Sequence, residues 1–385
     1  LSIAYPLLKE QLDTSDDYEG RFRFAHGDVG ITIRDIASQI TLQTSGWLGR
    51  LEVLEDTLSE ALSDRQYSVA IPDIELFYQQ VGTWLSGAER LVSLWDRLHR
   101  ELKQDSIPMA CWLKIEDTSG GNIDISVNAS PIQAAEILRD SLWGNCYAAV
   151  VTSATLRSLG NFSTLQRETG IPDSAHFLSV AGAFDYASAA TVRVPADAIE
   201  GNKAEEHTQY IVENLASMVE DKAGTLVLFS SKKQMEQVFD ELPNDLAKFI
   251  LIQGQYSNRE MVRLHKERID QGRTSVLLGL ASFSEGVDLP GDYCRHVVIA
   301  KLPFAVPNDP LQQALAEWIE SRGGNSFFDI SLPLASLRLI QAAGRLLRTE
   351  SDTGTVTILD KRLITKRYGS QLLNSLPPFR REIGH

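Results

Sequence analysis

Near its carboxyl terminus the chain reads Leu337-Arg338-Leu339-Ile340-Gln341-Ala342-Ala343-Gly344-Arg345-Leu346-Leu347-Arg348. Its apolar residues recur at three- and four-residue steps, which predicts a helix that packs along one face. Gln341, Arg345 and Arg348 recur at similar steps and would share a second face. Two guanidiniums one turn apart, beside Gly344 where another surface can come close, are suited to grip phosphate oxygens. A solvated amphipathic helix with exposed arginines is the alternative.

Further motifs accompany this helix. Residues 152–156 read Thr-Ser-Ala-Thr-Leu, residues 282–291 read Ser-Phe-Ser-Glu-Gly-Val-Asp-Leu-Pro-Gly, and residues 359–362 read Leu-Asp-Lys-Arg. Together with Q-x-x-G-R-x-x-R at 341–348, they resemble motifs III, V and VI of superfamily 2 helicases. The wording is similar to that of the XPD/DinG branch, in which the DinG/YoaA-like helicases, and the YoaA type above all, are closest. The resemblance runs from about Pro108 to the carboxyl terminus and is weaker before it.

Composition sets the broad class of the chain. It has 385 residues, 43% of them hydrophobic, which is enough for two or three domains with real cores. The three cysteines are far apart and odd in number, which argues against a disulfide framework and favours a reduced cytosol. No apolar run approaches the roughly 18 residues of a membrane span. We therefore expect a soluble bacterial cytoplasmic protein, and the start at Leu1 rather than Met indicates a fragment or processed product.

The net charge of −14 is unevenly distributed. Residues 1–105 carry 10 Lys/Arg against 18 Asp/Glu, whereas residues 338–385 carry 9 against 4. The overall charge argues against a protein coated with nucleic-acid-binding surface. A local basic groove near the carboxyl terminus remains compatible with it.

The first hundred residues predict long helices. Residues 1–26 show little periodicity and are expected to form a loop. Residues 36–62 are helical in pattern, and residues 77–102 keep a 3.5-residue apolar period over four heptads, which favours a long helix packed antiparallel on its neighbour. This hairpin is either an interaction arm or a helical subdomain, and simple core packing explains the apolar stripe best. The family resemblance implies an arch domain that helps to enclose single-stranded DNA.

The remaining chain predicts two sheets. A β-hairpin is expected at 110–127 around a turn at 119–122, then a short helix and a buried strand at 148–151 that ends the first motor lobe. After Pro195, helices and strands alternate, which predicts a parallel doubly wound sheet. The predicted fold is therefore α/β, with a RecA-like P-loop NTPase sheet after a helical arch-like region. We divide it at 1–105 (partial arch), 106–190 (end of the first RecA-like lobe) and 191–385 (second lobe).

The chemistry of a complete nucleotide motor is only partly represented. P-loop enzymes need a glycine-rich loop with a lysine, an acidic pair for Mg²⁺, and positive charge on the transferred phosphoryl group. Neither G-x-x-x-x-G-K-[ST] nor Asp-Glu followed by Ala-His or Cys-His occurs in the sequence. We therefore predict that this chain alone does not hydrolyse ATP.

The resemblance assigns catalytic roles near the carboxyl terminus. Arg345 and Arg348 would reach the γ-phosphate as finger residues, a role worth roughly 10³–10⁵ in rate. Gln341 would hydrogen-bond the phosphate or the water beside it. The set expected to bind ATP or couple it to movement comprises Glu285, Gly286, Asp288, Gly344, Ser153 and Thr155. A capped loop is the alternative for Glu285 and Asp288, and a common Ser-Ala-Thr turn for the last two.

Candidate DNA contacts follow a predicted strand. Ser230 and Ser231 resemble motif IV and begin a helix, whose free N–H groups and hydroxyls can bind a phosphate. Lys232 adds positive charge, although an exposed lysine often serves solubility alone. Farther on, the basic residues Lys361, Arg362, Lys366 and Arg367 would either follow a DNA backbone or dock a partner protein.

The function implied by the resemblance is that of the C-terminal portion of an ATP- and Mg²⁺-dependent helicase that moves 5′ to 3′ on single-stranded DNA in repair or replication. It also implies a [4Fe-4S] cluster in the absent N-terminal part, and the chi subunit of DNA polymerase III as a candidate partner. The histidine spacings predict no metal site in this chain. The rivals are a nuclease on the same lobes, which would need an acidic metal cluster, and a non-catalytic DNA- or protein-binding module.

Overall fold

The computed structural model describes residues 4–14, 20–63, 71–101, 107–117, 123–280, 283, 287–305 and 309–384. They form two compact units, one of Leu1–Gln133 with Pro307–Asn325 and the other of Ala134–Val306 with Ser326–His385. No helix in these ranges is both long and apolar enough to cross a membrane.

The first unit contains a three-stranded antiparallel sheet. Its strands lie in the order β1 (Arg21–Phe24), β2 (Met109–Asp117) and β3 (Ile123–Pro131). Pairing of β2 with β3 confirms the predicted hairpin. The turn predicted at 119–122 lies outside the described residues.

Three helices accompany this sheet, namely α1 (Ala4–Asp13), α2 (Gly30–Ser63) and α3 (Ile71–His99). The long helices α2 and α3 confirm the two helices predicted from the helical pattern of residues 36–62 and the heptad spacing of residues 77–102. The loop predicted for residues 1–26 is wrong, because α1 and β1 fall within it. Ala4, Leu8 and Leu12 are buried on one side of α1, so packing of a short apolar stripe stabilises a helix that periodicity alone did not reveal.

A helix from late in the chain belongs to the first unit. This helix, α11 (Pro310–Ser321), is numbered by its position in the chain and is capped by Asp309, whose carboxylate accepts a hydrogen bond from the Leu311 N–H. Ala314 packs with Ala110 and Ile132 of the sheet region. An ion pair between Arg23 and Glu317 links the helix to β1. No sequence pattern predicted that this segment belongs to a different unit from its chain neighbours.

The second unit is organised by a seven-stranded sheet in which every neighbouring pair is parallel. The strands, in the order β10-β4-β9-β8-β5-β7-β6, are β4 (Ala190–Val194), β5 (Gly224–Phe229), β6 (Ile250–Ile252), β7 (Ser275–Leu280), β8 (His296–Ile299), β9 (Gly354–Ile358) and β10 (Arg380–Ile383). Leu226 and Leu228 join one apolar cluster, whereas Val227 and Phe229 join another. Both faces of the sheet are thus covered, as the doubly wound prediction requires.

Helices connect and cover these strands. They are α4 (Ala135–Leu138), α5 (Ser163–Thr169), α6 (Tyr186–Ala189), α7 (Ala204–Asn214), α8 (Lys232–Glu241), α9 (Asn244–Ala247), α10 (Asn258–Asp270), α12 (Leu332–Ala343), α13 (Arg362–Thr365) and α14 (Gly369–Ser375). The alternation predicted after Pro195 is confirmed.

The strand predicted at residues 148–151 is wrong. This segment has no regular structure, and the side chains of Val150 and Val151 are 92% and 48% exposed. An apolar run becomes a buried strand only when neighbouring strands pair with it, and no described strand lies beside this one.

Candidate functional site

The predicted motifs of the second unit gather at one edge of its sheet. Ser230 follows β5, Phe283 and the described residues 287–291 come after β7, and Asp360 follows β9 closely. Because the strands are parallel, their carboxyl ends meet at the same edge. This is where ligand sites form in open α/β sheets.

The helix predicted across residues 337–348 ends earlier than expected. α12 ends at Ala343, and Gly344 continues in right-handed geometry with its N–H bonded to the Ile340 carbonyl at 2.8 Å. The prediction that Arg345 and Arg348 share a helical face with Gln341 is therefore wrong. Glycine weakens helix continuation, and the fully buried Leu346 is drawn into the core in the turns that follow.

Asp352 holds those turns in place. Its carboxylate accepts hydrogen bonds from the N–H groups of Arg348 (2.7 Å), Thr349 (2.9 Å) and Gly291 (3.1 Å), and from the Thr349 hydroxyl at 2.5 Å. Burial alone would raise the pKa of Asp352, but these hydrogen bonds outweigh it and lower the pKa. Sequence reasoning missed this residue, although Asp in a Thr-Glu-Ser-Asp-Thr-Gly stretch is typical of a side-chain-stabilised turn.

The two arginines converge on one carbonyl group. Arg345 Nη1 and Arg348 Nη2 donate to the Val287 carbonyl oxygen at 3.4 Å and 3.2 Å. Arg348 Nε also lies 3.5 Å from Asp288 Oδ1, and the Asp288 side chain is 76% exposed. That Nε is buried and makes no hydrogen bond within the described residues. The Arg348 Nε–H group therefore has no acceptor of its own in the described part of the chain and lies beside a weak, exposed ion pair. Such a group is suited to donate a hydrogen bond to an anion.

Gln341 joins two of the predicted motifs. Its Nε2 atom donates to Thr155 Oγ1 at 3.4 Å, and the Thr155 N–H donates to Ser153 Oγ at 3.3 Å. Thr155 is half-buried and Ser153 is exposed. The structure therefore brings residues 153–155 next to α12, although nearly two hundred positions separate them in sequence.

Two members of the predicted set cannot be placed. Glu285 and Gly286 lie outside the described residues. On either side of them, Phe283, Val287 and Leu289 are buried in the core of the unit. Gly344, also in the set, is exposed.

The predicted DNA-binding residues lie at the start of α8. Ser231 caps this helix, and its hydroxyl accepts a hydrogen bond from the Gln234 N–H at 3.3 Å. Lys232 is exposed, with its Nζ 3.6 Å from Glu236 Oε1. Ser230 is half-buried at the sheet edge. The Ser231 hydroxyl thus has a structural task already, while the backbone of the first turn faces the edge where the other motifs gather.

The predicted basic tail is partly folded into ion pairs. Arg362 donates to the fully buried Asp360 at 2.6–3.1 Å, and Lys366 lies 3.3 Å from Glu200. Burial of Asp360 would raise its pKa, but the Arg362 guanidinium lowers it. Arg362 therefore stabilises the fold, whereas Arg367 is exposed and Lys361 is half-buried.

Metal-binding chemistry has little material in the described ranges. They contain no group of three or more His, Cys, Asp or Glu side chains placed to hold an ion. Cys111 and Cys294 are buried, and burial raises their pKa values to about 11 and about 12. Such thiols stay protonated and are poor metal ligands.

Comparisons with known proteins agree with this arrangement. Residues 213–379 match the helicase C-terminal domain family. The ATP-dependent DNA helicase DinG of Photobacterium profundum is 38% identical over 371 residues, which cover 95% of this chain and 53% of that protein. DinG of Escherichia coli K12 is 33% identical over 367 residues, covering 94% and 50%. The chain thus spans about half the length of the curated relatives it matches.

Solved structures of XPD share the fold. A structure of apo XPD gives a TM-score of 0.51 at 14% identity, covering 83% of this chain and 62% of that one. A second XPD helicase structure gives 0.50 at 14% identity, covering 98% and 67%. The predicted RecA-like fold class is confirmed. Nearly the whole chain is similar in sequence to DinG-type ATP-dependent DNA helicases, and residues 213–379 of it match the helicase C-terminal domain family.

Proposed function

We propose that this chain is the C-terminal portion of an ATP-dependent DNA helicase that couples ATP hydrolysis to 5′-to-3′ movement on single-stranded DNA. Homology to DinG over nearly the whole chain supports the activity. In this proposal residues 1–105 are part of an arch, residues 106–190 end the first motor lobe, and residues 191–385 form the second.

One observation carries the proposal. Gln341, Arg345 and Arg348 meet residues 153–155 and 287–288 through the contacts described above. A hydroxyl pair, an amide and two guanidiniums form a donor-rich surface at the carboxyl edge of a parallel sheet. Such a surface fits the phosphates of a nucleotide held from the opposite side.

The roles follow from the chemistry of these groups. Arg348 and Arg345 stabilise the charge on the transferred phosphoryl group, and Gln341 orients the phosphate or the attacking water. The bound ATP supplies the hydrolysable bond. Thr155 contacts Gln341 and in this way couples the nucleotide site to the DNA groove. By the family resemblance, Glu285 and Asp288 would contact the ribose and the opposite lobe, and Gly286 would relieve crowding in the same turn.

The donor set of this chain fits a triphosphate but not its Mg²⁺ ion. The two guanidiniums are positively charged and offer only N–H donors, whereas Mg²⁺ takes oxygen ligands and is repelled by positive charge. The proposal therefore assigns the Mg²⁺ ligands and the lysine-bearing phosphate loop to the other motor lobe. The [4Fe-4S] cluster that the resemblance to the XPD branch implies is assigned to none of the residues of this chain.

DNA would cross the same sheet edge. The first turn of α8 presents backbone N–H groups beside Ser230, and Lys232 adds a positive charge. Phosphate contacts of this kind position a strand without reading its sequence. The YoaA-type assignment and the chi subunit as partner rest on sequence resemblance, and a pull-down with purified chi tests them.

The decisive experiment compares two arginine variants in the full-length polypeptide. Arg348→Ala should reduce DNA-stimulated ATP hydrolysis by about 10³–10⁵-fold, because the phosphoryl charge loses its partner. Arg259→Ala removes the same charge from an exposed site on α10 and should leave turnover near the wild-type rate. Unchanged turnover in the Arg348 variant, or a loss of its folding by circular dichroism, would contradict the assigned role.

The chain by itself provides a second test. It should show no ATP hydrolysis with or without single-stranded DNA, because its sequence contains no phosphate-binding Gly-Lys loop. Measurable turnover by the purified chain would refute the split-site proposal. A non-catalytic binding module is the alternative, and a start codon close upstream of Leu1 in the reading frame would favour it.

A further inference from the structure

The outer part of α2 exposes an apolar stripe that its inner part buries. Ile33 and Ile40 are each 8% exposed, whereas the next residues at the same seven-residue spacing, Trp47 and Leu54, are 65% and 42% exposed. Residues seven apart lie on nearly the same side of a helix, drifting only ~20° per heptad. One continuous stripe is thus covered at its inner end and uncovered farther out.

Helix α3 repeats this pattern in the opposite direction. Leu98 is 3% exposed, and the preceding residues at seven-residue steps, Leu91, Trp84 and Phe77, are 45%, 57% and 55% exposed. Val81, between Phe77 and Trp84 in sequence, is only 2% exposed, so the buried side of α3 lies next to this stripe. Phe77, Trp84 and Leu91 nevertheless keep a large part of their surface open to solvent.

Both stripes lie on the side of the hairpin that the sheet covers. Ile33, Ile40 and Leu98 share one apolar cluster with Cys111 and Leu113 of β2. Because the helices are antiparallel neighbours, the two stripes run outward side by side. Their uncovered residues, which we call the outer stripe, are Trp47, Leu54, Phe77, Trp84 and Leu91. Five large apolar side chains on one face mark an interaction site more often than chance exposure.

The charge around the outer stripe restricts its occupant. Residues 44–63 and 71–92 carry two arginines against seven carboxylates, a net charge of −5. Nucleic acid would be repelled by this surface. A second copy of the chain would bring the same negative charge to the same place. A partner of opposite charge is favoured.

We propose that the outer stripe binds a protein partner that presents an apolar ridge flanked by lysine and arginine, as an amphipathic basic helix does. Such a helix would continue the cover that β2 gives to the inner end of the hairpin, and its basic flanks would pair with the carboxylates. Trp47 and Trp84 of the outer stripe would be the main anchors of this interface, because aromatic residues are enriched among the residues that contribute most to binding. This inference does not depend on the proposed function.

The test uses the full chain and two synthetic helical peptides. Both carry leucines at three- and four-residue steps, one flanked by lysines and its matched partner by glutamates. Binding is followed by the fluorescence anisotropy of a dye on the peptide. The chain variants are Trp84→Gln and Trp47→Gln on the outer stripe, with Leu42→Gln as the control, because Leu42 is 77% exposed but off the stripe.

The lysine peptide should bind the wild-type chain and the Leu42 variant equally, and each tryptophan variant at least tenfold more weakly. Added salt should weaken this binding, and the glutamate peptide should bind at least tenfold less well. Equal binding of the two peptides, equal loss in the Leu42 variant, or no binding would overturn the proposal. So would self-association in sedimentation velocity, or binding of a labelled oligo-dT, that is lost in the Trp84 variant.

Discussion

Two apolar segments of the second unit have almost the same composition and opposite surroundings. Residues 297–299 in β8 read Val-Val-Ile and are 0–2% exposed, paired on both sides by parallel strands. Residues 148–151 read Ala-Ala-Val-Val and are largely exposed, without a described strand beside them. Apolar composition alone therefore does not fix a strand. The neighbours that supply hydrogen bonds and cover do.

The same contrast divides the candidate site. Arg345 and Arg348 follow α12, and the C-terminal end of this helix is packed in the apolar core of the second unit. Ser153 and Thr155 follow the uncovered segment directly. Within these two residues, the described hydrogen bond to the packed part is the long one that Gln341 Nε2 donates to Thr155 Oγ1. Arg345 and Arg348 thus follow a helix that is packed in the core. Ser153 and Thr155 lie where a second surface can still bind.

Lowering the pH should affect the packed part most. Burial lowers the pKa values of His265 and His296 from 6.5 to about 4. The stability that depends on these neutral imidazoles is present above pH 6.5 and is lost as the pH falls toward 4. Between pH 7 and pH 5 each should cost about 2 kcal/mol of unfolding free energy.

Urea unfolding at the two pH values checks this expectation. His265→Gln should remove about half of the difference, whereas His176→Gln, at an exposed position in the uncovered region, should leave it unchanged. Equal changes in both variants would contradict the contrast between the two regions.

The same substitution in each segment sharpens the comparison. Val298→Ala should lower the free energy of unfolding by about 2–3 kcal/mol, through lost burial and a residual cavity. Val150→Ala should change it by no more than about 0.5 kcal/mol, because the side chain is almost fully exposed. Urea titrations followed by circular dichroism measure both, and similar losses would show that residues 148–151 are buried in solution.

The smallest effect is expected where the two parts meet. Thr155→Val removes a long, half-exposed hydrogen bond and should cost roughly 0.5 kcal/mol. The matched change is Ser336→Ala on α12, the helix that carries Gln341. It removes the fully buried hydroxyl that accepts a 3.2 Å hydrogen bond from the Leu159 N–H. It should cost about 1–2 kcal/mol. A larger loss for Thr155 than for Ser336 would show that the motif is packed more firmly than its exposure indicates.

Local patterns predicted most of the regular structure. A helical apolar pattern located α2, heptad spacing located α3, and short apolar runs located β5 to β9, because these signals depend on one face or two faces being buried. The end of α12 escaped prediction because it depends on Asp352 and on the burial of Leu346. Residues 148–151 were misjudged because a strand needs partners that no local pattern can supply.

The motifs selected the candidate residues, but they did not predict the geometry in which the structure places them. The convergence of Arg345 and Arg348 on the Val287 carbonyl required the turns after α12 rather than a shared helical face. The contact between Thr155 and Gln341 joins positions that only the folded chain brings together. Motifs named the members of the site, whereas their distances depend on long-range packing.

Helix α11 has a practical consequence for dissecting this protein. The chain leaves the second unit before Pro307, supplies this helix to the first, and returns at Ser326. No single cleavage or truncation can therefore separate the two units intact. A cut after Gln133 would leave α11 in the C-terminal half. Its residues Ala314 and Trp318 would then lose their contacts with the sheet region of the first unit. Each half would then expose apolar surface that the intact protein buries, and it would tend to aggregate. To isolate the second unit, residues 307–325 must be removed and the chain rejoined across the gap.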